Sequence, residues 1–220
     1  MALNMFGKPI RNQTLKAMPE YQDKKVITAV DKAYEALMMK DADNKAENAR
    51  KFVEGLKPKY GAALISTVCL IYNATGNRLT FIGSHDWEGH IGDYPYPLLL
   101  ENGQWGAFLH VQTSLYGGSI AATVYRCQDE TGDFFDWMLS WYNRRNGDDN
   151  RVYTEIREAD QFNNYKWETR RFLNHYSSDM LNGCFSTVIT GFSDVIDSDY
   201  RISPIFEGII TLKDTFVERE

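Results

Sequence analysis

The sequence predicts an α+β, mainly β protein: an antiparallel β-sandwich with an N-terminal helical pair and one late helix packed on the sandwich. Three observations lead there. Apolar residues recur every three or four positions up to residue 60, then alternate with a period of two from Gly61 onward. Eight short runs rich in β-branched and aromatic residues are separated by Gly, Asp or Asn clusters. The long helices that a parallel sheet would interleave between strands are not visible in the pattern.

The helical part is expected over residues 1–60, docked on the body. Pro19 followed by Glu20 and Asp23 reads as a helix start, with proline in the first turn and acids near the positive end of the dipole. Val26, Ile27, Val30, Tyr34, Leu37 and Met38 then form one apolar stripe. A second helix is expected to open at Asn44, with Glu47 three residues on in a capping-box arrangement. It continues through Ala49, Phe52, Val53 and Leu56 and stops at Lys57-Pro58. A stripe this narrow needs a surface to cover.

The sandwich is expected over 61–220. Its strands are read at 64–72, 78–82, 105–111, 119–127, 134–142, 151–156, 184–192 and 204–212. The turn Asn73-Ala-Thr-Gly76 makes 78–82 the expected hairpin partner of 64–72. Near 168–182 the pattern turns helical again. Phe172, Leu173, Tyr176 and Met180 share one face, and Gly183 stands where a helix C-cap belongs.

Composition excludes several classes. With 43% hydrophobic and 25% charged residues, and 30 aromatics among 220, the chain is globular and not a solvated disordered segment. Its longest apolar stretch, 62–72, falls short of the roughly 20 residues that span a bilayer. Residues 1–60 hold 12 Lys and Arg against 8 acids, whereas 61–220 hold 12 against 22. An acidic body argues against a nucleic-acid partner, which needs a concentrated basic face. Residues 1–16 lack an apolar run followed by small residues, so no secretory signal is read and a cytoplasmic location is expected. Three cysteines, with no C-x-x-C pair, fit buried thiols in a reducing compartment.

The densest polar cluster is Ser84-His-Asp-Trp-Glu-Gly-His-Ile-Gly92. The glycines suggest a loop, in which His85, Asp86, Glu88 and His90 are candidate ligands for a metal or partners in acid–base chemistry. The blander alternative is a polar loop whose histidines cap backbone groups. His110 lies on an expected strand and reads as a satisfied structural residue. Neither a Gly-x-Ser-x-Gly elbow nor a glycine-rich phosphate loop is present, so the sequence points to no cofactor and no nucleophile, and the chain reads as non-enzymatic.

The second cluster is aromatic. Trp137 and Trp141 are four apart and share a strand face, Tyr142 takes the other, and Arg144 and Arg145 follow. Trp87, Tyr94 and Tyr96 lie in 86–97. If these segments meet at one end of the sandwich, then Trp87, Tyr94, Tyr96, Trp141, Tyr142 and Arg144 form an arginine-edged aromatic shelf. Such a shelf suits a glycan by stacking, or a phospholipid or sphingolipid headgroup by cation–π and phosphate contacts. The competing expectation is that Trp137 and Trp141 are core.

Several runs carry a resemblance over nearly the whole chain. Phe6-Gly-Lys-Pro9, Pro19-Glu-Tyr-Gln-Asp-Lys24, Leu70-Ile-Tyr-Asn-Ala-Thr-Gly76, His85-Asp-Trp-Glu-Gly-His-Ile-Gly92, Asn102-Gly-Gln-Trp-Gly-Ala-Phe-Leu-His-Val111 and Asp136-Trp-Met-Leu-Ser-Trp141 resemble the plant jasmonate-induced proteins of the 23-kilodalton type. The resemblance implies a plant protein induced by jasmonate or stress, and it brings no catalytic residues. A fainter one, on Gly103-Gln-Trp-Gly-Ala-Phe108, Ala121-Ala-Thr-Val-Tyr125 and Trp137-Met-Leu-Ser-Trp141, is to the actinoporin-like and mushroom-lectin sandwiches that bind sphingomyelin or sugars. A scaffold that presents the helical pair to a partner protein is the remaining expectation.

Overall fold

The computed structural model describes residues 4–61, 64–114, 117–144, 150–164, 167, 174–191 and 204–216. In chain order its elements are β1 (Met5–Phe6), α1 (Asn12–Lys16), α2 (Ala29–Met38), α3 (Lys45–Glu54), β2 (Ser66–Ala74), β3 (Leu79–Glu88), β4 (His90–Ile91) and β5 (Leu99–Leu100). There follow β6 (Trp105–Val111), β7 (Ser119–Gln128), β8 (Phe134–Asn143), β9 (Arg151–Glu158), β10 (Tyr176–Leu181), β11 (Cys184–Gly191) and β12 (Ile205–Leu212). All eight expected strands are present.

Two sheets pack face to face. The larger runs β1-β6-β2-β12-β11-β10, with β4 also on β6, and the smaller runs β5-β3-β7-β8-β9. Inward residues of both sheets, among them Ile71, Phe108, Tyr125, Trp137, Leu139, Trp141, Phe206 and Ile210, make one continuous core. Each large apolar side chain enclosed there contributes roughly 1.5–3 kcal/mol. The outer face of the larger sheet is also covered. Val68, Leu70, Tyr72, Trp105, Ala107 and Leu109 meet Leu15, Ala36, Ala49, Val53 and Leu56 from the N-terminal segment. That is why β2 is buried at all nine positions and is apolar without a break from Val68 to Tyr72.

Four expectations are corrected. The sandwich is not wholly antiparallel: β12 lies parallel to β2, with Ile205 opposite Val68 and Thr211 opposite Ala74. β2 and β3 are not a hairpin, because the chain crosses from one sheet to the other between them. The Asn73 side chain directs that crossing, donating to the carbonyls of Asn77 and Leu100 and accepting from the Thr75 amide. The late helix is a strand where it is described. Tyr176–Leu181 pairs with Cys184–Gly191 through a turn with Asn182 at φ 44 and Gly183 at φ 84, so the glycine shapes a hairpin and not a helix end. Residues 168–173 of that expected helix lie outside the described residues.

The fourth correction concerns the first helix. Pro19–Tyr21 is only a 3-10 turn. The α-helix begins at Ala29, where the Thr28 hydroxyl accepts from the Asp31 amide and the Asp31 carboxylate accepts from the Thr28 amide. Val26 and Met38 of the expected stripe are exposed, while Ala33 and Ala36 are fully buried. These small residues let α2 approach closely enough for the Tyr72 hydroxyl to reach the Ala36 carbonyl at 2.6 Å. The second helix does start after Asn44, but Asn44 is left-handed and its side chain makes no cap; Glu47 pairs instead with Lys51.

Candidate functional site

The aromatic shelf does not assemble. Trp141 points between the sheets, with ring centroids 5.8 Å from Phe108 and 5.5 Å from Phe206. Tyr96 is buried too, stacked 5.1 Å from Phe81. The spacing that put Trp137 and Trp141 on one face was right, but that face is the core one, shared with Phe135 and Leu139. Tyr94 lies on the far side of the larger sheet against Phe52, at 4.9 Å. Of the six, Tyr142 and Arg144 adjoin each other, and Trp87 lies against the outer face of the smaller sheet with Ala122, Val124 and Met138. Glu88, Ile120 and Tyr142 stand in one row across β3, β7 and β8. Arg144 pairs with Glu88 and sits 5.6 Å over the Tyr142 ring. Trp87 donates its indole N–H to the Trp167 carbonyl and packs edge-on to His85. Arg145 lies outside the described residues.

The expected metal loop is, for the most part, strand. Residues 85–88 belong to β3, so their side chains diverge. His85 stacks on Trp167, Asp86 turns inward toward His110, Glu88 takes Arg144, and exposed His90 lies 3.3 Å from the Thr113 hydroxyl. Among the described residues, no three His, Cys, Asp or Glu side chains converge to hold a metal.

Sequence reasoning also missed a Ser–His–Asp alignment. His110 Nδ1 is 2.8 Å from Ser119 Oγ, and its Nε2 is 3.4 Å from Asp86 Oδ1. Both Ser119 and His110 are fully buried, and the hydroxyl is within 2.6 Å of Thr67 Oγ1. Burial pushes the His110 pKa down against the pull of Asp86. A hydroxyl so enclosed ties the sheets together; no substrate carbonyl reaches it. The cysteines are equally withdrawn: all three are buried and unbridged, and burial raises the Cys69 thiol well above its ordinary pKa.

An open groove of about 890 Å³ lies where α1, α2 and the β2–β3 crossing meet one end of the smaller sheet. Arg11, Lys32, Arg78 and Arg126 line it, with Glu101 as its carboxylate. No motif announced it, because its cations come from four separate segments; the basic balance of residues 1–60 was the available signal. One side chain holds those segments together. Buried Asn102 donates to the carbonyls of Ile10 (3.1 Å) and Lys32 (3.0 Å) and accepts from the Gly76 amide (2.8 Å). Gly76 itself has φ +75, and a Cβ there would stand 2.1 Å from the Ala29 carbonyl oxygen, so only glycine lets the crossing pass under α2.

The four cations are not equivalent. Arg126 is committed: it makes a bidentate pair with buried Asp136, at 2.8 and 3.0 Å, and reaches Asp160 at 2.7 Å. These carboxylates raise its pKa further. Arg78 places Nε and Nη2 on one oxygen of Glu101, at 2.8 and 2.7 Å, and Arg11 stands 4.0 Å from that same oxygen. Half-buried Lys32 has no hydrogen-bond or ion-pair partner for its ammonium among the described residues, and burial lowers its pKa. Beside these cations, Ile82 (38% exposed) and Phe134 (55%) line the groove. Leu99 (44%) is opposite Thr80 in the next strand, with Leu98 (61%) beside it. Charged and exposed apolar side chains therefore adjoin one another here. No helix among the described residues is long and apolar enough to cross a membrane.

This two-sheet fold recurs among solved structures. The chain belongs to the Nakanori-like protein family, whose model matches residues 6–213. It is similar to the 23 kDa jasmonate-induced protein of Hordeum vulgare, with 48% identity over 167 residues that cover 74% of this chain and 76% of that protein. A jasmonate-induced protein homolog of Atriplex canescens is 30% identical over 107 residues, 47% of this chain and 57% of that one. Among solved structures it resembles the lipid-binding protein Nakanori, with a TM-score of 0.78 and 27% identity over 94% of this chain and 98% of that one. The expected kinship with the jasmonate-induced proteins therefore holds.

Proposed function

We propose that this protein is a non-catalytic, stress-inducible lipid-binding protein that docks at a membrane surface and seats a lipid headgroup in the groove at the end of its sandwich. One observation carries the reading: Lys32, whose ammonium has no partner among the described residues, stands among cations near the exposed side chains of Ile82, Leu98, Leu99 and Phe134. A headgroup anion would satisfy the first, and the bilayer interface would take the second. The likeness to the lipid-binding protein Nakanori and to the jasmonate-induced protein of Hordeum vulgare supports it. The glycan alternative needs an open ring to stack on. Trp87 and Trp167 are already occupied with each other and with His85, and the one exposed ring of the groove's lining, Phe134, stands beside cations, which favours an anionic headgroup.

Flotation with phospholipid vesicles tests the proposal. Binding is expected, weakened about tenfold or more by Phe134→Asp, which places a charge at the apolar margin, and by Lys32→Glu. Wild-type protein that stays wholly unbound to neutral and anionic vesicles alike refutes it.

A further inference from the structure

The charges in the groove specify more than lipid. With Arg126 neutralised by Asp136 and Asp160, the cations left are Arg11, Lys32 and Arg78, and they share a single carboxylate, Glu101. Arg11, Lys32 and Arg78 exceed Glu101 by two positive charges, while Asp136 and Asp160 exceed Arg126 by one negative charge at the groove's other end. Donors also remain among the described residues: Arg78 uses Nε and Nη2 on Glu101 and retains Nη1, the Arg11 side chain is mostly exposed, and the Lys32 ammonium has no partner there. A phosphodiester brings one negative charge. A phosphomonoester brings nearly two, on three acceptor oxygens. A choline group would need an aromatic cage or a free carboxylate, whereas here the carboxylate is held by Arg78 and Phe134 stands at the groove's rim.

Resting on the lipid-binding reading above, we infer that the groove selects a headgroup ending in a phosphomonoester, the chemistry of phosphatidic acid or a phosphorylated inositol lipid, with Lys32, Arg78 and Arg11 as its phosphate ligands. The rest of the molecule sharpens the argument. The whole chain carries a net charge of −6, so a bilayer with diffuse negative charge repels it on balance, and a local cluster of cations such as this one supplies attraction.

The test compares vesicles of phosphatidylcholine alone with vesicles carrying either phosphatidic acid or phosphatidylglycerol at matched surface charge, and adds glycerol 3-phosphate as a soluble competitor. Expected is binding to phosphatidic acid about tenfold tighter than to phosphatidylglycerol, a preference abolished by Lys32→Gln and by Arg78→Gln. The preference should also fade below about pH 6, where the monoester takes up its second proton. Equal binding to the two anionic vesicles, or binding to phosphatidylcholine alone, overturns the inference and leaves lipid binding standing. Direct binding of glycerol 3-phosphate by calorimetry with no vesicle binding keeps the monoester site and overturns the lipid source. Absence of binding in every arm overturns both.

Discussion

Replacing Asn102 with alanine should cost more stability than its modest size suggests, because one carboxamide joins three segments. The substitution removes the bonds to the Ile10 and Lys32 carbonyls and to the Gly76 amide. Each such bond is worth about 1 kcal/mol net, and the buried partners are left without a replacement, so the loss is about 3 kcal/mol. In urea this appears as a fall of roughly 1–2 M in the unfolding midpoint. Fluorescence from the buried tryptophans reports the transition, and a constant slope would show that stability alone has changed. The same substitution frees the backbone under Lys32 and beside Arg78, so vesicle affinity should also drop in protein that is still folded. A loss below about 1 kcal/mol, with unchanged vesicle binding, would refute the argument that this residue organises the groove.

Gly76→Ala should be destabilising by about 2 kcal/mol or more in thermal melts, since a methyl there collides with the Ala29 carbonyl. Trp141→Ala should lower stability by about 3–5 kcal/mol in denaturant titrations, with any loss of ligand binding following only from unfolding; selective loss of binding in a stable variant would contradict its core position. Removing residues 1–60 should leave an insoluble or molten remainder by circular dichroism, because Val68, Leu70, Tyr72 and Trp105 would be stripped of cover. His110 sets a pH dependence. Burial holds its folded pKa below the unfolded value of about 6.5, so its stabilisation is complete at neutral pH and is lost as the pH falls below that value. His110→Gln should flatten the stability-versus-pH curve in that window.

The strands were readable because alternation is a local property, and each of the eight runs carries it within its own residues. Sheet membership is not local. The pattern at 66–74 and 79–88 is what a hairpin would show, and the crossing is dictated by Asn73 and by the helix over Gly76, both fixed by contacts distant in sequence. The same limit explains Trp141: period two says that it shares a face with Trp137, and only the partner sheet decides that this face is inward. The loop expected over 84–92 proved mostly strand for a related reason, since a glycine such as Gly83 accompanies irregular pairing in a strand as well as loops. The groove could not be read as a motif, because Arg11, Lys32, Arg78 and Arg126 meet only after the N-terminal helices have docked.

The position of β12 sets an order on how this protein can be made. The strand wedged between β2 and β11 is encoded at 205–212, so a nascent chain leaving the ribosome has its helices, β2 and β6 long before the piece that unites the two halves of the larger sheet. Until that last strand emerges, β2 presents a bare edge to the crowded cell and the central layer stays split. Translation arrest just short of residue 205 should therefore yield a chaperone client, and a stop codon that removes only the final strand should be about as damaging as one placed much earlier.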